Sequence, residues 1–207
     1  MKSKEIKIKQ IEKKDFSKAM KFTEEGMHLS WYVSNKTALY YYSKYVLYLE
    51  LSKSTTVLGA YLDDKLVGFL FAKFKNEKIV FNQFRYKAYC GIFTVLMKLI
   101  GADNASNVYD TVNKKMLKNF MSNNPDGEIT FFAVDSKIKG KGIGTLLLNE
   151  LEKRNKNKLI YLFSDSGSTY QFYLHRGFEE SGKEEIVVPS DKGKDVPLTC
   201  FLFSKKL

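Results

Sequence analysis

The sequence has little of what several classes of protein require. Its 207 residues include only two cysteines, Cys90 and Cys200, which are too few and too far apart for a disulfide framework or a metal cluster. The N-terminus is charged and lacks the apolar stretch of a secretory signal. We therefore expect reduced thiols, no metal site and a cytoplasmic location.

The chain carries an excess of positive charge but no motif for nucleic acid. Lysine and arginine number 34 against 23 acidic residues, a net charge of +11, which favours contact with nucleic acid, an anionic membrane or an anionic cofactor. The lysines are spread along the chain without zinc-ligand spacing or an RNA-binding aromatic motif. We expect no nucleic-acid partner. Because 44% of the residues are hydrophobic, residues 1–207 can form one domain with a sizeable core.

The most informative segment spans residues 134–148 and predicts a strand, a basic glycine-rich loop and a helix in succession. Glycines let a ligand approach the backbone, and the first amides of the helix point outward with the positive end of its dipole. Lys139 and Lys141 add positive charge beside those amides. The pattern indicates a phosphate-binding loop, and an ordinary glycine turn is the alternative. The three glycines concerned are Gly140, Gly142 and Gly144.

Two common nucleotide-binding motifs do not fit this loop. A P-loop requires Ser or Thr after Gly-Lys, but Gly142 follows Lys141. A dinucleotide fingerprint that starts at Gly140 meets Thr145 in place of its third glycine. The pattern that remains is Arg/Gln-x-x-Gly-x-Gly/Ala, with Lys139 in the first position.

This pattern resembles the loop that binds the CoA pyrophosphate in the GNAT superfamily of acetyl-CoA-dependent N-acetyltransferases. Neighbouring segments are similar to that family in the same order: a strand at 128–134, a second strand at 158–163, and residues 168–178, which end in Tyr-x-x-x-Gly-Phe. The resemblance covers residues 128–180. It implies an α/β (α+β) fold with a mixed, centrally splayed sheet flanked by helices.

The resemblance also implies a reaction, in which acetyl-CoA is the cosubstrate and a primary amine attacks its thioester directly in a ternary complex. Tyr173 matches the tyrosine that protonates the CoA sulfur, and the Val134 amide is the expected donor to the thioester oxygen. Glu128 is a second candidate, for the general base. His28 and His175 have a suitable intrinsic pKa but no motif supports them. The expected cofactor-binding residues are Phe132, Ala133, Val134, Lys139, Gly140, Lys141, Gly142, Ile143, Gly144, Thr145, Ser166 and Tyr173.

Upstream segments predict the remaining elements. Asp15 is expected to cap one helix, and Asn35 or Ser34 the next. Two apolar runs joined by residues 63–65 predict a β-hairpin. Residues 79–127 are expected to be a helical insertion between the third and fourth strands, with helices at 84–100 and 108–121. The apolar run of the insertion is too short to span a bilayer. Four roles are open for it: packing on the domain, covering the acceptor pocket, contacting another subunit, or resting on a membrane surface.

The identity of the acceptor is not encoded in any recognisable motif. A peptide N-terminus, a lysine, a polyamine, an antibiotic and a metabolite all remain open, as does a homodimer. Two other functions are compatible with the same loop: a non-catalytic regulator that binds acyl-CoA, and a basic protein that grips nucleic-acid phosphate.

Overall fold

The computed structural model describes residues 5–31, 33–99, 104–138, 140–188 and 195–207. Lys139, one of the predicted cofactor residues, lies outside the described residues. The strands are β1 Ile6–Gln10, β2 Thr56–Leu62, β3 Lys65–Phe74, β4 Gly127–Val134, β5 Leu159–Asp165, β6 Glu179–Val188 and β7 Val196–Lys206. The helices are α1 Phe16–Gly26, α2 Lys36–Lys53, α3 Phe84–Leu99, α4 Asn104–Phe120, α5 Ile143–Arg154 and α6 Gln171–His175.

The strands form one seven-stranded sheet in the order β1-β2-β3-β4-β5-β7-β6. Neighbouring strands are antiparallel except β4 and β5, which are parallel. Helices flank both faces, so the predicted α/β fold with a mixed sheet is confirmed. None of the described helices is long and apolar enough to cross a membrane.

The sheet opens between β4 and β5. These strands pair only from Gly127 with Ile160 to Ile129 with Leu162, although both continue beyond that point. The register between β3 and β4 also skips Thr130, since Phe71 pairs with Phe131 and Ala72 with Ile129. A bulge of this kind bends a strand and increases its twist. The result is a gap beside residues 130–134 at the centre of the sheet.

Different helices cover the two faces of the sheet, and they pack on it through apolar side chains. On one face, α1 and α2 pack on a core that includes Phe69, Phe71 and Phe131. On the other face, α5 buries Leu147 and its neighbours against Leu70 and other sheet residues. The helix α4 contributes buried residues to a third cluster, with β5, β6 and β7. The gap therefore has α1, α2 and α4 on one side and α5 and α6 on the other.

Local signals place most of the upstream elements correctly. Asp63 and Asp64 adopt positive φ angles of 49° and 57°, as a tight β-hairpin turn requires, and the predicted hairpin is confirmed as β2 and β3. Asn35 caps α2 by accepting hydrogen bonds from the amides of Thr37 and Ala38.

The predicted cap at Asp15 is wrong. This residue has helical backbone angles (φ −92°, ψ −2°) and makes no side-chain cap hydrogen bond, because a cap needs an extended conformation to bring its oxygen back to the first amides. Instead, the Asp15 carboxylate accepts a hydrogen bond of 2.8 Å from the Tyr61 hydroxyl.

Two helices, α3 and α4, connect β3 to β4, as the hydrophobic spacing predicts. Phe93 holds α3 on α2, with its ring centroid 4.7 Å from that of Tyr45 and 6.2 Å from that of Tyr42. The outer side of α3 exposes apolar side chains, among them Phe84, Ile92, Val95, Leu96 and Leu99.

Candidate active site

The glycine-rich loop after β4 leads into α5, and no side chain caps the first backbone amides of this helix. Gly142 is the N-cap residue, in the left-handed conformation (φ 66°, ψ 17°), and no side chain caps the helix. The first hydrogen bond of the helix runs from the Leu146 amide to the Gly142 carbonyl. The amides of Ile143, Gly144 and Thr145 precede that bond, so they have no acceptor within the helix. Together with the helix dipole, they form a site suited to an anion.

The three glycines of the loop serve two different purposes. Gly140 and Gly142 have φ angles of 79° and 66°, and a Cβ atom there would meet nothing within 4 Å, so they are needed for backbone conformation and leave open space outside the loop. At Gly144 a Cβ atom would lie 3.2 Å from the Phe172 ring, so this glycine is needed for packing. Ile143 buries its side chain against the sheet at 2% exposure, which fixes the direction of the helix.

The open edge of β4 offers backbone groups to the gap. The Asp135 amide bonds the Val67 carbonyl at 2.9 Å, and the Ala133 carbonyl also faces β3, beside Gly68. Because backbone groups in an antiparallel pair alternate in direction, the Phe132 and Val134 amides point the other way, toward the gap. Of the three residues predicted on this strand, Ala133 therefore has its backbone groups engaged with β3.

Tyr173 lies on α6, surrounded by aromatic rings. Its ring centroid is 6.3 Å from that of Phe132, 5.7 Å from that of Phe178 and 6.0 Å from that of Phe203. Its hydroxyl makes no hydrogen bond to another residue of the described chain. Burial, and to a smaller extent the Asp165 carboxylate, raises the pKa of Tyr173, so the phenol keeps its proton throughout the neutral range.

The residues that follow β5 are held by distant parts of the chain. The Ser166 hydroxyl oxygen accepts a hydrogen bond of 3.0 Å from the Thr199 amide, which ties this predicted cofactor residue to β7. Both oxygens of Asp165 accept hydrogen bonds, from the Gly167 amide at 2.9 Å and from the Tyr109 hydroxyl on α4 at 3.0 Å.

The two histidines lie in different surroundings. His28 brings its Nε2 atom to 3.1 Å from the carbonyl oxygen of Gly167, a residue 139 positions away. His28 therefore contacts the loop that precedes α6, although no sequence motif pointed to it. His175 ends α6 with an exposed side chain.

Glu128 faces the opposite side of the sheet from Tyr173. Its Oε2 atom accepts a hydrogen bond of 3.2 Å from the hydroxyl of Tyr161, its partner across β4 and β5. Burial raises the pKa of Glu128, although Lys53, Tyr161 and Lys73 act to lower it. A carboxylate with a raised pKa is a stronger base than an ordinary surface carboxylate.

Glu50 on α2 is a residue that sequence analysis missed. Its Oε1 atom pairs with Lys53 Nζ at 2.9 Å, and its side chain is only 12% exposed. Burial raises the pKa of Glu50, and Lys53 opposes the shift. Within the described ranges, no group of three or more His, Cys, Asp or Glu side chains is arranged to hold a metal ion.

The sheet thus opens at its centre beside an uncapped, glycine-rich helix N-terminus, an arrangement suited to a ligand that carries phosphate groups. Residues 22–178 match the family model described as acetyltransferase (GNAT) family. Because the match covers more than half of the chain, the chain belongs to this family. No curated protein matches the chain.

Solved structures share the fold at low identity. One is described as histone acetyltransferase HPA2 and related acetyltransferase from Corynebacterium glutamicum, with 17% identity, a TM-score of 0.55, and 97% of this chain and 96% of that chain covered. Another is a polyamine N-acetyltransferase from Drosophila melanogaster, with 14% identity, a TM-score of 0.54 and coverage of 98% and 100%. A third is Arabidopsis thaliana Naa50 in complex with the bisubstrate analogue CoA-Ac-MVNAL, with 15% identity, a TM-score of 0.50 and coverage of 98% and 99%.

Proposed function

We propose that this protein transfers the acetyl group of acetyl-CoA to a primary amine by direct attack in a ternary complex. One observation carries the proposal. The gap between β4 and β5 has the uncapped N-terminus of α5 at one end and Tyr173 beside it. The proposal takes residues 1–207 as one domain that contains a helical insertion at residues 79–127. It also includes a cytoplasmic location and a homodimer.

The donor would be held mainly by backbone groups. The amides of Ile143, Gly144 and Thr145 bind the pyrophosphate, with Lys139 and Lys141 adding charge and Gly140 and Gly142 keeping the loop open. The Phe132 and Val134 amides hold the extended arm of the cofactor in the gap, with Ser166 as a further contact, whereas the Ala133 backbone is engaged with β3. Bound acetyl-CoA supplies an activated thioester, and the Val134 amide donates to its oxygen as negative charge develops.

Proton transfer would use one residue on each side of the sheet. The amine must lose a proton before it attacks, and Glu128 is the proposed base because burial makes its carboxylate more basic. Tyr173 is the proposed donor to the departing sulfur, since its phenol stays protonated and its hydroxyl makes no other bond within the described chain.

The neighbours in structure favour nitrogen as the acceptor atom. The Drosophila enzyme is a polyamine N-acetyltransferase, and the Arabidopsis protein binds an analogue that joins CoA to a peptide. Both descriptions are compatible with an amine as the acceptor. The family assignment itself supports acetyl transfer but leaves the acceptor open.

The test measures binding and turnover separately. Calorimetry with CoA and with acetyl-CoA tests the loop, and release of free CoA thiol across a panel of amines tests catalysis. Lys141→Glu should weaken CoA binding by at least about tenfold, equivalent to about 1.4 kcal/mol, because it places a carboxylate beside the pyrophosphate.

Lys156→Glu is the matched control for this experiment. Lys156 is an exposed lysine beyond the other end of α5, so its replacement changes the net charge equally but leaves the loop intact. Equal losses in both variants would contradict the loop assignment. Tight binding of CoA without thiol release from any amine would instead favour the non-catalytic regulator.

A further inference from the structure

The helix α3 is amphipathic, and one of its apolar sides faces solvent. Its inner side packs on α2 through Tyr86, Cys90 and Phe93. Its outer side carries five large apolar side chains, each more than half exposed. Spacings of three, four and eight residues place all five on one side of a helix, as a continuous stripe. We name these five residues the α3 face: Phe84, Ile92, Val95, Leu96 and Leu99.

A stripe of this kind is a contact surface. Single exposed apolar residues are ordinary, but a continuous apolar patch with a polar rim marks a site that binds another protein or a membrane. The rim of the α3 face is cationic. Lys87 and Lys98 are exposed and lie eleven residues apart, three helical turns, so they share one long edge of the helix. Arg85 is exposed in its first turn.

The segments that build this part of the molecule contain no acidic residue. Residues 78–102 include α3 and carry four basic residues without a single Asp or Glu, and residues 26–49, which include most of α2, carry two lysines and likewise no acid. Acidic residues make up 23 of the 207 in the chain, so their absence from two stretches that pack on each other is a local feature. It leaves the rim of the α3 face with positive charge.

Acidic residues on the neighbouring elements do not change this balance. Glu50, the next acidic residue along α2, is largely buried and paired with Lys53. Asp110 on α4 acts on Tyr42, whose ring lies against Phe93 on the inner side of α3.

Tyrosines and a further lysine lie where α2 meets α3. Tyr40 and Tyr41 of α2 are about half exposed, and the Tyr41 carbonyl accepts a hydrogen bond of 3.1 Å from the Tyr89 hydroxyl of α3. The Lys44 ammonium lies over the Tyr89 ring, 5.0 Å from its centroid. Tyrosine is enriched at membrane–water interfaces, because its ring is apolar and its hydroxyl polar. Lysine extends its charged end to the phosphates from the same depth.

Charge and shape together favour a bilayer as the occupant. A second copy of the chain would bring the same cationic rim and a net charge of +11 against the first, so the two faces are not complementary. The α3 face also protrudes, since Phe84 is 85% exposed. A protruding stripe can enter the soft boundary between headgroups and acyl chains, whereas a protein partner would need a matching groove.

We propose that α3 docks the protein on a membrane that contains anionic phospholipids. The α3 face lies at the boundary between headgroups and acyl chains, and Arg85, Lys87 and Lys98 contact the lipid phosphates. The helix lies in the plane of the surface. This inference goes beyond acetyl transfer and does not depend on it, because binding to vesicles is measured without turnover.

The test is sedimentation of the protein with sucrose-loaded vesicles. One preparation contains phosphatidylcholine alone, and the other also contains about one quarter phosphatidylglycerol, which is anionic. We expect partitioning onto the anionic vesicles to be at least about tenfold stronger, because several basic side chains lie near the surface. The difference should shrink at about 0.5 M salt, where the Debye length is below about 5 Å.

Leu96→Asn tests the apolar stripe. It should weaken binding to the anionic vesicles at least about fivefold, because insertion depends on buried apolar area. Val187→Asn is the matched control, since Val187 lies on the edge strand β6 and is 56% exposed, against 53% for Leu96. It should bind like the unmodified protein. Melting followed by circular dichroism establishes that both variants are folded.

Lys87→Gln combined with Lys98→Gln tests the rim. This double variant should weaken binding to the anionic vesicles at least about tenfold and leave binding to phosphatidylcholine unchanged. Lys153→Gln combined with Lys156→Gln is its control, because it removes the same charge from exposed lysines at the end of α5. That control should keep its affinity.

Several outcomes would overturn the inference. They are no sedimentation with either vesicle, equal binding to both vesicles, and binding that neither the Leu96 nor the lysine variant weakens. Analytical ultracentrifugation tests the second copy: a dimer that Leu96→Asn dissociates, without vesicle binding, would assign the α3 face to a subunit contact. None of these results bears on acetyl transfer, which CoA binding and thiol release test separately.

Discussion

Tyr173 owes its chemical character to its neighbours. Aromatic rings surround it, and burial followed by the Asp165 carboxylate raises its pKa. A cysteine thiol has a reference pKa of about 8.5, so this phenol is a weaker acid than a thiol. We therefore expect Tyr173 to stabilise the leaving sulfur by donating a hydrogen bond, with the proton moving only as the carbon–sulfur bond breaks.

Tyr173→Phe tests this role, because the ring remains and only the hydroxyl is lost. We expect kcat to fall by about 10²-fold, the lower end of the range for general acid catalysis, while CoA binding measured by calorimetry stays unchanged. Tyr170→Phe is the matched control, since Tyr170 precedes α6 and stacks on Phe201 with centroids 4.7 Å apart. Unaltered turnover in Tyr173→Phe would remove Tyr173 from the mechanism.

The helix α3 is held to α2 by a small set of aromatic contacts. Phe93 contacts Tyr45 and Tyr42 of α2, and Tyr86 and Tyr89 of α3 contact Tyr48. The helix also buries Tyr86 and Cys90, and its other side is largely exposed. Few buried contacts make an element prone to local opening, so Phe93 is one of a small number of side chains that hold α3 in place.

Replacement of Phe93 should therefore destabilise the protein. Phe93→Ala is expected to lower the free energy of unfolding by about 2–3 kcal/mol, somewhat less than for a fully buried phenylalanine. Ile92→Ala, at a neighbouring side chain that is 64% exposed, should change it by less than about 0.5 kcal/mol. Urea denaturation measures both values, and equal effects would show that the aromatic contacts do not anchor α3.

The contact between α2 and β4 makes stability depend on pH. Burial raises the pKa of both Glu50 and Glu128 in the folded state. At these two groups the folded protein therefore binds protons more readily than the unfolded chain, so their contribution to stability is greatest below the ordinary carboxyl pKa and is lost as the pH rises through the raised values. Lys53, whose pKa is raised above 10.5, and Tyr161 and Tyr42, raised above 10.0, titrate at higher pH, and Asp110 remains exposed.

Glu50→Gln should flatten this dependence. Between about pH 4, near the reference carboxyl pKa, and neutral pH, the variant should lose less of its free energy of unfolding than the unmodified protein. Glu77→Gln is the control, because it also removes a carboxylate paired with a lysine, Lys158, and it should follow the unmodified protein. Urea denaturation at several pH values measures the slopes. A steeper fall in Glu50→Gln would mean that the ion pair with Lys53 outweighs the cost of burial.

At the scale of the whole molecule, charge and apolar surface are unevenly distributed. The net charge is +11, yet the buried carboxyl groups of Glu50 and Glu128 lie near each other where α2 packs on β4. A positive surface attracts an anionic donor such as CoA over distances comparable to the Debye length. The exposed apolar side of α3 is the surface on which the homodimer, still a prediction, can be tested.

Salt should weaken binding of the donor through this long-range attraction. When the ionic strength rises from about 0.05 M to about 0.5 M, screening shortens the Debye length below about 5 Å, and we expect the association rate of CoA to fall. Pantetheine, which lacks the phosphates, should show little change. Stopped-flow measurement of both ligands provides the comparison, and equal salt dependence would show that the phosphates do not account for the effect.

Much of the fold follows from local patterns, and the site follows from them only in part. Glycine spacing, the Asp63-Asp64 turn and the Asn35 cap act over a few residues, so the sequence predicted them correctly. The partner of Asp15 is Tyr61, 46 residues away, and the partner of Asp165 is Tyr109, 56 residues away. Neither contact leaves a local signal, and the cap predicted at Asp15 was wrong for that reason.

By itself the sequence determined the glycine-rich loop, the order of the elements and the family, because each depends on residues close together in the chain. Only the tertiary structure decided that Thr130 bulges at the gap, that Ala133 faces β3, and that Glu50, Lys53 and Glu128 lie close together. These features depend on how α2, α4 and the sheet pack together. Packing is set by contacts between distant segments, which local periodicity does not specify.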